Sequence, residues 1–215
     1  REHVGAVVAD DKIVVDLAAA DKALSRKEKR KAHDFFGDML TFLEAGKKGM
    51  SAARKVVEAA EKKLGKPDGK VTHRLSRVRL RAPNPHPRKL LCLAGNYQDH
   101  LDEEGAEAPG EPNLFAKLPN ALCGPHDEIR IPNDRKQVDW EAELVVVIGK
   151  TARNVSQADA WDYVVGVTCG QDISDREEQF RDFEQWTVGK SFDTYAPTGP
   201  FLVTTDELED RDRVP

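Results

Sequence analysis

Three acids lead directly into an apolar run at Asp139-Trp-Glu-Ala-Glu143, followed by Leu144 to Ile148. Side chains alternate along a strand, so Asp139, Glu141, Glu143, Val145 and Val147 share one face, and Trp140, Ala142, Leu144, Val146 and Ile148 share the other. Like charges at this spacing, once partly desolvated, raise one another's pKa unless a cation sits between them. A divalent metal is the simplest such cation. Oxygen donors favour magnesium, calcium or manganese over zinc. The alternative is a solvated acidic strand end paired with a neighbouring lysine or arginine.

Two other stretches offer chemistry. His100 and Glu103 stand three residues apart and would face the same way on one helical turn, as a base with an orienting acid. Asp172, Arg176 and Gln179 would share a helical face if a helix begins there, which reads either as a ligand beside an anion-binding guanidinium or as a surface ion pair. The Gly189-Lys-Ser191 triplet lacks the glycine that a phosphate loop needs five residues earlier, where Glu184 stands. Lys190 is left as a cation in a Gly-Ser setting.

The elements that must position these groups follow from pattern. Gly5 to Leu17 reads as a hairpin turning at Asp10-Asp11. Ser25 with Glu28 has the spacing of a capping box, opening a helix through Phe35, Phe36, Met39, Leu40 and Leu43 that Gly46 ends. A second helix starts near Ser51, carries Val56, Ala60 and Leu64, and stops at Gly65. Arg74 to Arg81 alternates as a strand, and Pro83, Pro85 and Pro87 form a linker. Beyond it, buried strands are expected at Lys89–Ala94, Leu144–Ile148 and Val164–Cys169. Shorter strands are expected around Asn113–Lys117, Asn120–Gly124 and Glu128–Pro132, and a capped helical turn at Ser156–Tyr163. Asp102 to Pro112, acidic and without an apolar anchor, reads as a mobile loop.

The chain has 215 residues, 33 basic and 38 acidic, with a formal net charge of −5, which excludes a general attraction to nucleic acid or membrane. Cys92, Cys123 and Cys169, odd in number and without a Cys-x-x-Cys pair, read as reduced core residues of a cytoplasmic protein. No signal peptide or long apolar run is present.

Taken in order, Gly95-Asn-Tyr-x-x-His100, Asn113-x-Phe-x-Lys117, Asp139-Trp-Glu-x-Glu-Leu-x-Val-Val-Ile-Gly149, Asp172-x-Ser-x-Arg176-x-x-Gln179, Gly189-Lys-Ser-Phe-Asp193 and Gly199-Pro resemble the fumarylacetoacetate hydrolase family from about Lys89 to Asp210. The resemblance implies an α+β protein, with a mixed β-roll catalytic domain over residues 87–215 preceded by a small α/β N-terminal domain over residues 1–86. It implies Glu141, Glu143 and Asp172 as ligands of a divalent metal, magnesium first, with manganese or calcium in some members. His100 matches the general base, Glu103 its acidic partner on a lid helix, and Lys190 the lysine that stabilises developing oxygen charge. Tyr97, Arg176 and Gln179 match substrate-contacting positions. Asp139 matches no ligand and becomes a rim acid.

The implied substrate is a small anionic keto acid and the implied assembly a homodimer. The implied reaction is hydrolytic cleavage of a carbon–carbon bond in a diketo or acylpyruvate-type acid through an enolate, with water activated by His100 and Glu103. Isomerisation or decarboxylation at the same site, or a binding paralogue without turnover, are the alternatives. Two departures stand out. The family's Asp-x-Ser-Ala-Arg-Asp run reads Asp172-Ile-Ser-Asp175-Arg176-Glu177 here, and its closing Gly-Thr-Pro loop and final strands are missing, so the chain is expected to be incomplete.

Overall fold

The computed structural model describes residues 2–10, 12–62, 67–182 and 184–210, which form two compact units. One comprises the chain to Leu80 with Val146–Val167 and the residues from Val203 onward; the other comprises Arg81–Val145 and Thr168–Leu202.

The first unit opens with strands β1 (Gly5–Val8) and β2 (Ile13–Asp16), paired antiparallel in the expected hairpin. Asp11 of its turn lies outside the described residues. Helix α1 (Leu17–Glu28) follows at once, because the Asp16 carboxylate accepts the Ala19 amide at 2.9 Å and an alanine run without β-branched residues then propagates the turn. The capping box expected at Ser25 is therefore corrected. Ser25 sits buried near the end of α1, which Lys29 closes in the left-handed conformation (φ 51°). Phe35 and Phe36 lie on a short 3-10 turn, and α2 (Met39–Glu44) is a separate helix capped by Asp38. Gly46, at φ +55°, divides α2 from α3 (Gly46–Glu61), so the second helix starts five residues before Ser51. Leu64 and Gly65, expected to end it, lie outside the described residues. Strand β3 (Thr72–Arg74) pairs with β2, but Leu75–Arg77 turns into a 3-10 helix, so the expected strand to Arg81 is absent.

Val15, Leu17, Phe36 and Val56 form the dry core of this unit, and one acid is buried with them. Asp21 is fully buried and accepts from Arg30 Nη2 at 2.6 Å and the His33 amide at 2.6 Å, and its Oδ1 lies 3.0 Å from His33 Nδ1. Burial pushes its pKa up, but the hydrogen bonds from Arg30 and His33 outweigh it, and the net direction is down. A carboxyl lowered in the folded state stabilises the fold above the ordinary carboxylate pKa, and this contribution is lost as pH falls through the folded value. Asp21→Ala leaves the Arg30 cation without its buried partner and should cost about 3–5 kcal/mol near neutral pH, with the gap to wild type narrowing in acid. Urea unfolding at several pH values measures this; a loss that does not shrink in acid would remove the ion-pair explanation.

In the second unit, β4 (Leu91–Ala94) pairs antiparallel with β5 (Asn113–Ala116), and α4 (Gln98–Glu104) lies between them in the chain. Gly95 ends β4 at φ +66°. The remaining strands and α-helices along the chain are β6 (Leu122–Cys123), β7 (Val138–Asp139), β8 (Ala142–Ile148), β9 (Val164–Gln171), β10 (Ser174–Asp175), α5 (Arg176–Gln179), α6 (Trp186–Gly189) and β11 (Ala196–Thr204), of which β8, β9 and β11 each have residues in both units. One sheet runs β6-β11-β9-β8, with β6 and β11 parallel, and β7 pairs antiparallel with β10.

Several expectations change here. The acidic stretch is two strands, because the chain leaves its β10 partner after Asp139 and pairs anew from Ala142, with Trp140 and Glu141 between. Strand β8 is an edge strand. Its Leu144, Val146 and Ile148 are exposed, whereas Glu143, Val145 and Val147 are half-buried, as the alternation requires. Leu91 and Leu93 of β4 are exposed as well. Glu128–Pro132 forms no strand. Helix α4 runs three residues into the expected loop and is closed by Gly105 at φ 63°. Cys123 is buried, Cys92 half-buried and Cys169 exposed on β9, so the expectation of three core cysteines fails for Cys169; all three are free. Among the described residues no helix is long and apolar enough to cross a membrane.

Candidate active site

The site grows from the break between β7 and β8. The Asp172 amide, just past β9, donates to the Glu141 carbonyl at 2.9 Å, and the Arg176 amide donates to the Gln137 carbonyl at 2.8 Å. These two bonds set Asp172 and the start of α5 beside the acidic break. Opposite, Lys117 leaves β5 and Lys190 ends α6, and both side chains are buried. Gly189 makes the second placement possible, since a Cβ there would stand 2.5 Å from the Gln179 amide nitrogen and 2.9 Å from the Asp175 carbonyl oxygen. Only glycine lets α6 approach α5 this closely.

The ammonium groups meet at Asp172, which is 3% exposed. Lys117 Nζ donates to its Oδ1 at 2.6 Å and to the Ile173 carbonyl at 3.1 Å. Lys190 Nζ donates to Asp172 Oδ2 at 2.7 Å, to Ser174 Oγ at 2.7 Å and to both Glu141 oxygens at 3.1 Å. Arg176 reaches Glu141 at 2.6 Å, Asp139 at 2.8 Å and Gln179 Oε1 at 2.9 Å. The Tyr97 hydroxyl, from the residue that opens α4, donates to Glu143 Oε2 at 3.2 Å and accepts the Leu144 amide at 3.3 Å. Aromatic rings flank the lysine, with Lys190 Nζ 5.0 Å from the Phe115 ring centre and 5.9 Å from that of Trp186.

Four carboxylates thus face three cations. The arrangement shows in the titration of its members. Burial pushes the Lys117 ammonium below the usual lysine range despite the Asp172 charge beside it. Burial pushes Glu143 up; the Tyr97 hydrogen bond opposes this, and the charges of Asp172 and Glu141 reinforce it. Burial likewise raises Tyr97. Arg176 holds Asp139 below the usual range. The Cys92 thiol, pushed up to about 12 by burial and then by the Asp172 charge, stays protonated and inert.

Of the residues singled out in the sequence, Glu141, Asp172, Arg176, Gln179 and Lys190 come together in one ion network, and Tyr97 holds Glu143 beside it. Asp172 and Arg176 do not form the surface pair that their spacing allowed; Arg176 turns to Asp139 and Glu141 instead. His100 and Glu103 share α4 as expected, but both are exposed rather than set inside the network. Among the described residues, no group of three or more His, Cys, Asp or Glu side chains is placed to hold a metal ion, and the two lysines engage both oxygens of Asp172. Sequence reasoning gave Lys117 no role. A lysine closing an apolar strand was the available signal, and only burial shows that its charge points inward.

The family pattern described as "Fumarylacetoacetate (FAA) hydrolase C-terminal" matches residues 89–215, which contain every member of this network. The chain belongs to the fumarylacetoacetate hydrolase family. Among relatives of this family member, the "Oxaloacetate tautomerase fahd2, mitochondrial" of Xenopus laevis is 36% identical over 209 residues, 97% of this chain; the chain spans 59% of that relative's length. A solved structure of a putative HpcE protein from Mycobacterium smegmatis superposes with a TM-score of 0.73 at 32% identity, over 97% of this chain and 65% of that one. A 2-hydroxyhepta-2,4-diene-1,7-dioate isomerase from Mycobacterium marinum gives a TM-score of 0.55 at 37% identity, over 66% of this chain and 50% of that one.

Proposed function

We propose that this family member is a metal-dependent enzyme that interconverts the keto and enol forms of a small 2-keto dicarboxylic acid of the oxaloacetate type. The observation that carries this reading is the pair of buried ammonium groups on Asp172, one held below the ordinary lysine range and the other fixed by Glu141 and Ser174. Proton transfer next to a keto group needs a fixed positive charge where an enolate oxygen develops and a group able to exchange a proton near neutral pH. Lys190 is suited to the first task, and Lys117, whose ammonium burial pushes toward the neutral form against the Asp172 charge, is the candidate for the second. Arg176 and Gln179, linked to each other, are placed to take a substrate carboxylate. The names of the Xenopus and Mycobacterium marinum relatives, a tautomerase and an isomerase, point the same way.

In donor chemistry the set suits a divalent cation, which would have to displace the Lys117 and Lys190 ammonium groups from Asp172. Glu141, Glu143 and Asp172 are hard oxygen donors, and a cation between them would reverse the upward push on Glu143. Magnesium, manganese or calcium held there would supply Lewis-acid polarisation of the keto oxygen. The protein's own residues then divide the work. Tyr97 orients Glu143, Arg176 and Gln179 hold the carboxylate, and Phe115 and Trp186 keep water from Lys190.

The test follows oxaloacetate in deuterated buffer with magnesium, by the decay of enol absorbance and by deuterium entry at the methylene carbon. Acceleration of both over buffer is expected. Acylpyruvates are assayed beside it. No acceleration with oxaloacetate, together with release of two acids from an acylpyruvate, would replace this reading with the hydrolytic one, in which His100 and Glu103 on α4 activate water.

A further inference from the structure

Helix α5 is a single turn, too short to hold itself, yet it carries Arg176 and Gln179. A second ion cluster, of two buried carboxylates with a half-buried and an exposed arginine, grips it. Asp175 is 0% exposed, and its Oδ1 accepts the Glu178 amide at 3.1 Å, capping the turn. Its Oδ2 has no hydrogen-bond partner and lies 3.6 Å from Arg135 Nε, which has none either. Arg135 Nη1 pairs with Glu178 Oε1, and Arg181 Nη2 reaches the same oxygen at 2.5 Å. The Arg135 guanidinium rests over the Phe192 ring, 5.3 Å from its centre. The Tyr195 hydroxyl is also buried without a partner, its pKa raised by burial and by the Asp175 charge.

None of these groups touches the network at Asp172. They act on the backbone that presents it. Arg135 lies two residues before Gln137, whose carbonyl receives the Arg176 amide at 2.8 Å, and β10 and β7 pair Asp175 with Val138 and Ser174 with Asp139. One guanidinium therefore ties the cap of α5 and its third residue to the segment that leads into the acidic break. Such a cluster contributes little net stability compared with apolar packing, but it does fix geometry.

We propose that Asp175, Arg135 and Glu178 are positioning residues whose ion cluster locks the single turn of α5, and through it aims Arg176 and Gln179 at the substrate. The aim at substrate rests on the proposed function; the locking of α5 does not. The substitutions follow the parts of the device. Arg135→Met removes the guanidinium at similar bulk, Asp175→Ala removes both cap and charge, and Asp175→Asn keeps the cap alone.

The readouts are kcat and KM for the keto–enol reaction with magnesium, and hydrogen exchange of the Glu178 and Phe180 amides. Arg135→Met and Asp175→Ala should raise KM about tenfold while kcat changes less than about threefold, and should speed exchange of both amides about tenfold. Asp175→Asn should recover slow exchange at Glu178 but keep part of the KM defect. Should Asp175→Ala fail to fold, Arg135→Met and Asp175→Asn carry the test. Unchanged KM and exchange, or a lower melting temperature with neither changed, overturns the proposal. If the wild type shows no turnover, the proposed function falls, and exchange at α5 alone decides: faster in the variants supports the lock, unchanged overturns it.

Discussion

Lys190→Met should cost this protein both its turnover and part of its stability. The ammonium it removes touches Asp172, Ser174 and both oxygens of Glu141, and is 2% exposed. In the proposed keto–enol reaction Lys190 is the fixed charge opposite a developing enolate oxygen, and its loss should lower kcat about a hundredfold to a thousandfold. As the partner of buried carboxylates, its loss leaves Glu141 and Asp172 facing one another with only Arg176 and Lys117 to offset them. Breaking a buried pair in this way costs about 3–5 kcal/mol. The two effects separate when magnesium is added, since a divalent cation among the carboxylates would restore the melting temperature without restoring the rate. Melting curves with and without magnesium, beside kcat, decide the matter. An unchanged melting temperature in metal-free buffer would show that the Lys190 contacts contribute nothing to the fold.

Glu143→Gln should do the opposite to stability. Burial, opposed by Tyr97 and reinforced by the charges of Asp172 and Glu141, raises the Glu143 carboxyl above its ordinary value. The folded state then binds this proton more tightly than the unfolded chain. Stability therefore falls as pH rises from the ordinary glutamate value to the folded one, and the penalty stays constant above it. Glutamine carries no such penalty. In metal-free buffer the variant should melt above wild type at about pH 8, and the two should converge as pH falls below about 4. Magnesium should invert the order, because a cation held by Glu141, Glu143 and Asp172 stabilises wild type by about 2.7 kcal/mol at a hundred times its Kd and the variant by much less. Equal magnesium shifts in the two proteins would remove Glu143 from the metal site. Equal stability in metal-free alkaline buffer would remove the burial penalty.

Much of the site was legible because its chemistry is local. The alternation from Glu143 onward, the hairpin before Asp16, and the placing of His100 with Glu103 on one helical turn all follow from periods of two and 3.6 residues. The family motifs gave roles to Arg176, Gln179 and Lys190, which spacing and type had already singled out, and the structure joins these to Glu141 and Asp172. Errors fell where a local signal met a stronger neighbour. Ser25 and Glu28 have capping spacing, but Asp16, at the end of a strand with an alanine run behind it, captured the helix start. The apolar run of β8 looked buried on both sides, yet one face of the strand is left uncovered and Leu144, Val146 and Ile148 on it are exposed, and no single-strand pattern carries that information.

Carboxylates crowd the mouth of β8. The sequence by itself determined that they need either water or a cation, because like charges beside an apolar run repel once water is excluded. It also determined which acids these are and which family they belong to. Only the tertiary structure decided which of the protein's own cations reach them. Lys117 lies 55 residues from Asp172 and Lys190 lies 18 from it, and neither separation has a period that predicts contact. Their meeting depends on where β5 and α6 end in space and on a glycine that lets α6 press against α5. The buried Arg135–Asp175 device was equally out of reach of pattern, since a charged pair 40 residues apart looks like surface until burial shows otherwise.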